Sequence, residues 1–161
     1  MRANPEKPDT TKHDTTPEVS HVSDETLRGF IGYNMKRAFN FIQADLAQVL
    51  KPHDLRMVTF STLVLIVDNP GMRQSQLADA LAIERPNLVV ILDELERRDL
   101  ISRDRVPTDR RAHALKATFK GRRLFEKALR DVKDHEDRVM AKMGLDDRAR
   151  VIAAMRLIEA E

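Results

Sequence analysis

Residues 77–121 read LADALAIERPNLVVILDELERRDLISRDRVPTDRRAHALKATFKG, and the periodicities inside this stretch decide the fold. Leu88, Ile91, Leu92 and Leu95 stand at i, i+3, i+4 and i+7, on one side of a helix that begins near Arg85 or Pro86. Proline is tolerated there because first-turn amides have no partner inside the helix. At about 100° per residue, the opposite face carries Pro86, Val90, Asp93 and Arg97, with Asn87 and Glu94 at its side. A shorter helix, about Gln74–Leu81 with Leu77, Ala78 and Leu81 as anchors, precedes it across the connection 82–84. Two helices joined by so short a turn, the second with a mixed polar face, predict a helix-turn-helix. Beyond it the pattern becomes strand-like. Leu100–Arg105 and Ala112–Ala117 flank the turn VPTDRR at 106–111, a hairpin with a basic tip, and Thr118 can cap the helix that follows.

The charge of the chain is concentrated in the same place. Residues 97–123 hold ten basic side chains against three acidic ones, a net of +7, although the whole chain of 161 residues sums to only +2. The remainder is therefore acidic, at −5. A surface charged only for solubility would intersperse its signs, whereas one cationic stretch on an acidic molecule is the footprint of a polyanion binder.

Outward from this centre the chain reads as helical. Residues 1–22, with Pro5, Pro8 and Pro17 among polar side chains, offer almost nothing apolar to bury and are expected to be a disordered tail. Ser23 is placed to cap a long helix over 24–50, whose apolar stripe runs Leu27, Ile31, Met35, Ala38, Ile42, Leu46 and Val49 until Pro52. A second helix, about Leu55–Val67, is apolar nearly all round in its later turns, the pattern of a central element, and the cluster Asp68-Asn69-Pro70-Gly71 stops it. After Thr118 the stripe Leu124, Ala128, Val132, His135 and Val139 carries a helix to about Met143, and a last helix covers about 146–160. The expected fold is mainly α with a small β wing. One domain over 23–161 would comprise a winged helix-turn-helix at about 55–121 and terminal helices at 24–50 and 124–160. Those terminal helices have more apolar surface than one small chain can cover, which points to a homodimer.

Several chemistries find no support. Cysteine is absent, which excludes disulfides, thiolate zinc sites and thiol redox sensing. No metalloprotease motif, nucleophile elbow, phosphate loop or dinucleotide fingerprint is present, so neither catalytic residues nor a cofactor are expected. His13 and His21 lie in the tail, His53 follows a proline, His113 belongs to the hairpin and His135 stands alone, so no metal site is expected either. No apolar run approaches the roughly 20 residues of a membrane span. The first 18 residues lack the apolar core of a secretory signal, and the expectation is a cytoplasmic, non-enzymatic protein.

The stretch from Leu77 to Gly121 resembles the MarR family of winged-helix regulators. The resemblance rests on Leu77-Ala78 in the first helix, Leu95-Glu96 closing the second, Leu100-Ile101, Arg103, the wing Asp109-Arg110-Arg111, and Thr118 with Gly121, in that order. With the helices before and after, it spans about 24–160. Departures are Asp99, where the family has a glycine suited to left-handed backbone, Arg73 in place of a threonine cap, Ala117 in place of leucine, and the pair Val89-Val90.

The resemblance implies a transcriptional regulator of double-stranded DNA, a repressor or an activator, that docks on a pseudopalindromic site as a twofold dimer. The N-terminal residues of a recognition helix lie closest to base edges, so Arg85, Pro86, Asn87 and Val90 form the base-proximal set. Asn87 either reads adenine or caps its own first turn. The family's wing arginine enters the minor groove, which assigns that role to Arg110 and Arg111. Arg103 and Arg105 contact phosphate or pair with Asp99 or Asp104. Arg97 is a phosphate contact or a solubility charge. Family members also bind small aromatic or anionic effectors between the dimerisation helices and the DNA-binding lobe. Tyr33, Arg37, Phe41 and Phe60 are the candidate lining, unless they are ordinary core or surface residues. Regulators of aromatic-acid breakdown, some answering to acyl-CoA thioesters, share the pattern. The other open class is a helical interaction module that never touches DNA.

Overall fold

The computed structural model describes residues 22–106 and 109–159, without the side chains of 105, 106 and 109–113. The expected tail therefore lies outside the described residues. The chain divides into two compact units, Met1–Met35 and Lys36–Glu161. In order, the elements are α1 (Glu25–Arg28), α2 (Ile31–Leu50), a 3-10 turn (Lys51–His53), α3 (Met57–Asp68), α4 (Gln74–Leu81), α5 (Arg85–Arg97), β1 (Ile101–Val106), β2 (Asp109–Ala117), α6 (Phe119–Val139) and α7 (Leu145–Glu159). The architecture is mainly α with one two-stranded antiparallel sheet.

The single helix expected over 24–50 is two helices. Backbone helicity lapses at Gly29 and Phe30, where glycine costs about 1 kcal/mol relative to alanine. Asn34 takes advantage of the lapse, its Nδ2 donating to the carbonyls of Arg28 (2.8 Å) and Phe30 (2.9 Å). At the other end α2 gives way to the 3-10 turn that contains Pro52, and Asp54 adopts a left-handed conformation with φ of 52°.

α3 is the central element, as its all-round apolar pattern predicts. Leu63 and Ile66 are wholly buried, and the polar Thr59 and Thr62 are equally buried because each hydroxyl donates to the backbone, at Arg56 O (2.9 Å) and Val58 O (2.8 Å). Around α3 a main cluster gathers Leu77 and Ala78 of α4, the four apolar residues of α5, Leu100, Ile101, Leu115 and Ala117. A smaller cluster joins Leu50, Leu55 and Phe60 to Ala128 of α6. Each fully buried leucine contributes on the order of 2 kcal/mol of hydrophobic stabilisation.

His135 is not alone. It is 1 % exposed on α6, and its Nε2 lies 3.1 Å from Asp45 Oδ2 on α2, where Arg138 also reaches at 3.0 Å. His53, by contrast, is hydrogen-bonded through Nε2 to Asp131 Oδ2 at 2.6 Å.

The sheet holds the helix-turn-helix in place. Gly71 N donates to Leu115 O (2.8 Å) and Leu115 N to Met72 O (2.9 Å), and Arg73 bridges Ala114, so the residues leading into α4 run antiparallel to β2. Gly71 has φ of 91°, a conformation that side chains resist. Arg73 caps α4 without help from its own side chain; Gln76 Oε1 accepts its amide at 2.8 Å instead.

Candidate nucleic-acid interface

The turn between α4 and α5 is built by Ala82, left-handed at φ 50°, and by Ile83, whose amide returns to Ala78 O at 3.1 Å. α5 then starts on schedule at Arg85, with Pro86 in its first turn. Leu88, Ile91, Leu92 and Leu95 are at most 7 % exposed. Arg85, Pro86, Asn87 and Val90 are all exposed, Val90 by 66 %. The N-cap residue, Glu84, makes no side-chain cap hydrogen bond.

α5 also carries three carboxylates, which would repel phosphate if left bare, and the fold neutralises each of them. Arg103 of β1 binds Asp93 through Nη2 and Glu96 through Nε (2.8 Å) and Nη2 (2.5 Å). Glu94 is held by Arg56 at 2.5 Å, with Arg98 at 3.8 Å. Partial burial works against the charged form of Arg103, but the hydrogen bonds to Asp93 and Glu96 outweigh it, and its pKa is raised. The pairing expected from sequence, with Asp99 or Asp104, is corrected. Side chains alternate along a strand, so Arg103 shares the face of buried Ile101, toward α5, and Asp104 points the other way to pair with Lys116 at 2.9 Å. Arg103 is thereby a brace between β1 and α5.

Asp99 does occupy a left-handed position, at φ 57°. Its amide bonds Glu96 O (2.8 Å) and the amide of Leu100 bonds Leu95 O (2.9 Å), the paired closure that glycine usually completes. The next junction is as tight. Thr118 N donates to Leu100 O (3.0 Å) and its hydroxyl to Asp99 O (2.7 Å), while that hydroxyl accepts Gly121 N (3.0 Å) and caps α6. A Cβ on Gly121 would lie 1.9 Å from Leu100 O, so only glycine fits.

In the wing, β1 and β2 pair from Ile101↔Ala117 to Arg105↔His113 and, past an irregularity, Val106↔Asp109. Arg105 stands on β1 and Arg110 and Arg111 on β2, while their side chains, like residues 107 and 108 entirely, lie outside the described residues. Arg97 is exposed at the end of α5, with no carboxylate partner among the described residues. Arg98 is engaged with Asp54 O (2.6 Å) and His53 O (3.2 Å), and Lys120 with Arg98 O (2.7 Å).

The candidate effector residues are scattered in role. Phe60 is 9 % exposed and belongs to the smaller core cluster. Arg37 and Phe41 are exposed on α2. Tyr33, in the N-terminal unit, donates from its hydroxyl to Asp24 Oδ2 at 2.7 Å. Sequence reading missed Arg56, whose partner Glu94 lies 38 residues away and leaves no local signal. Among the described residues no group of three or more His, Cys, Asp or Glu could hold a metal, and no helix is long and apolar enough to cross a membrane.

Comparison with known proteins agrees with this geometry. The MarR family profile matches residues 55–113. The transcriptional repressor CouR, solved bound to a 23-mer DNA duplex, is 37% identical with a TM-score of 0.84, over 88% of this chain and 100% of that one. CouR bound to p-coumaroyl-CoA is 35% identical with a TM-score of 0.78, over 88% and 99% of the two chains. A candidate transcriptional regulatory protein for the hcr operon of Thauera aromatica is 26% identical over 149 residues, 90% of each chain. A helix-turn-helix buried on one face and bare on the other, followed by a two-stranded wing and matched over 88% of this chain by such a repressor, places this chain in the MarR family of transcriptional regulators.

Proposed function

We propose that the chain is a ligand-responsive repressor that binds a pseudopalindromic operator as a homodimer and controls genes for the breakdown of aromatic compounds. The observation that carries this reading is the division of α5: its apolar face is spent on the core, while Arg85, Pro86, Asn87 and Val90 stand exposed, with no side-chain partner among the described residues. A helix presented this way fits the major groove. Arg85 and Asn87 supply donors for base edges, and the carbons of Pro86 and Val90 suit a thymine methyl. Arg97 and Arg105 contact phosphate, and Arg110 and Arg111 enter the minor groove from the wing. Arg103 keeps Asp93 and Glu96 from opposing the approach.

The exposed face of α7 supports dimerisation. Val151, Ile152, Met155, Leu157 and Ile158 are 40–77 % exposed, and a second copy would cover them. The relative CouR is a repressor that binds both a DNA duplex and p-coumaroyl-CoA, which supports an aromatic thioester as effector here.

The test is binding of the full chain to the DNA upstream of its own gene across a salt series. A steep fall in affinity with salt is expected, and Arg111→Ala should weaken binding by more than about 1 kcal/mol. Salt-independent binding, or no binding at all, would instead favour a helical interaction module.

A further inference from the structure

The groove between the end of α5 and the first turns of α6 has a volume of about 540 Å³. Leu100, Leu124 and Phe119 line it with apolar surface; Arg98, Lys120, Arg123 and Lys127 line it with positive charge, and no carboxylate takes part. A second groove of about 420 Å³, beside the end of α2, mixes Lys51 and Arg56 with Asp54 and Glu94, the balance expected of an ordinary surface.

The cations of the first groove are poorly compensated. Arg98 has Asp54 and Glu94 within ion-pair distance, but no carboxylate among the described residues pairs with Lys120, Arg123 or Lys127. These three recur at helical spacing along one face of α6, where like charges repel. Phe119 stands 75 % exposed at the lip, with the Arg123 guanidinium 5.8 Å from its ring centroid. An exposed aromatic beside cations that have no carboxylate partner among the described residues, and an apolar wall, is complementary to a ligand with a flat apolar part and several negative charges.

We propose that this groove binds an acyl-CoA thioester, the acyl group against Phe119, Leu100 and Leu124 and the phosphates on Lys120, Arg123 and Lys127. The proposal rests on the effector reading above and supplies its site. The location explains how occupancy could be transmitted. The two walls of the groove meet where Thr118 and Gly121 close on the carbonyls of Asp99 and Leu100, the joint from which both α5 and β1 are hung. A ligand seated between the walls bears on the recognition helix and the wing together, and it acts to the extent that it binds their two arrangements with different affinity. A DNA backbone would use the same cations, but it would gain nothing from the apolar wall.

The experiment is calorimetric titration of the full chain with p-coumaroyl-CoA, benzoyl-CoA and free CoA, alongside operator binding without thioester. Wild type should bind the thioesters more tightly than free CoA. Arg123→Ala combined with Lys127→Ala should weaken thioester binding by roughly tenfold or more and leave operator affinity within about twofold, and Arg123→Lys with Lys127→Arg should restore most of it. Phe119→Ser should reduce the preference for thioester over free CoA. Unchanged thioester affinity in the double alanine variant would overturn the groove and leave the effector reading standing. A wild type that binds none of the three ligands would remove both, with operator binding unaffected. Equal losses for operator and thioester would make these cations DNA backbone contacts and end the proposal.

Discussion

α5 and α7 are similar in length and each carries an apolar stripe, yet they end in opposite conditions. In α5 the stripe is closed against α3, α4 and the sheet, and Leu92 and Leu95 are completely buried. In α7 no residue is buried, and Leu157 is 77 % exposed. An amphipathic pattern states that a helix needs a neighbour, and only the fold says whether the same chain provides it. The winged helix-turn-helix provides its own, so its outer face is left bare, as the proposed DNA contact requires. The C-terminal helix does not, and its apolar face is the one the proposed dimer would cover.

The sharpest way to break this contrast is at the joint between the wing and α6. Gly121→Ala forces a Cβ into Leu100 O, and we expect a loss of at least about 3 kcal/mol of stability in urea unfolding; a silent variant would show that the joint can open at little cost. Within α5, Leu92→Ala should cost about 3 kcal/mol. Val90→Ala, two residues earlier on the exposed face, should change stability by less than about 0.5 kcal/mol and weaken only operator binding. Equal effects on unfolding would mean that both faces of α5 are structural.

Smaller effects test the outer elements. Leu157→Asp with Ile158→Asp should shift sedimentation from dimer to monomer, since each buried side chain is worth on the order of 2 kcal/mol at an interface; a dimer that persists would place the contact away from α7. Arg103→Ala should weaken operator binding by about 1 kcal/mol, with a comparable or smaller loss of thermal stability because its partners are half exposed. That loss should not vary between pH 6 and roughly pH 9, because an arginine with a raised pKa stays charged across this window. A pH-dependent loss would assign the effect to another group.

Much of the recognition unit was legible in the residues. The i, i+3, i+4, i+7 spacing marked the buried face of α5, and the bare face followed by subtraction. Thr118 was legible as the cap of α6, while Gly121 and the left-handed position at Asp99, which the chain indeed adopts, came only from the resemblance to the MarR family. The break at Gly29 was not legible, because the stripe of apolar residues runs through it unbroken and the compensating bonds come from the side chain of Asn34. Nor were the partners of Arg103, since Asp99 and Asp104 are nearer in the chain than Asp93.

Periodicity, caps and charge distribution are local quantities, each decided within a turn or two of backbone. From them alone come the order of the helices, the one-sided burial of α5 and the cationic stretch at 97–123. Pairing across long stretches is a different matter: Arg103 with Asp93 and Glu96, Arg56 with Glu94, His135 with Asp45, and the groove that gathers Phe119 and Lys127 beside Leu100. Those were decided by which faces the packed core turns toward each other, because a polar side chain takes whichever partner the fold brings within a few ångströms.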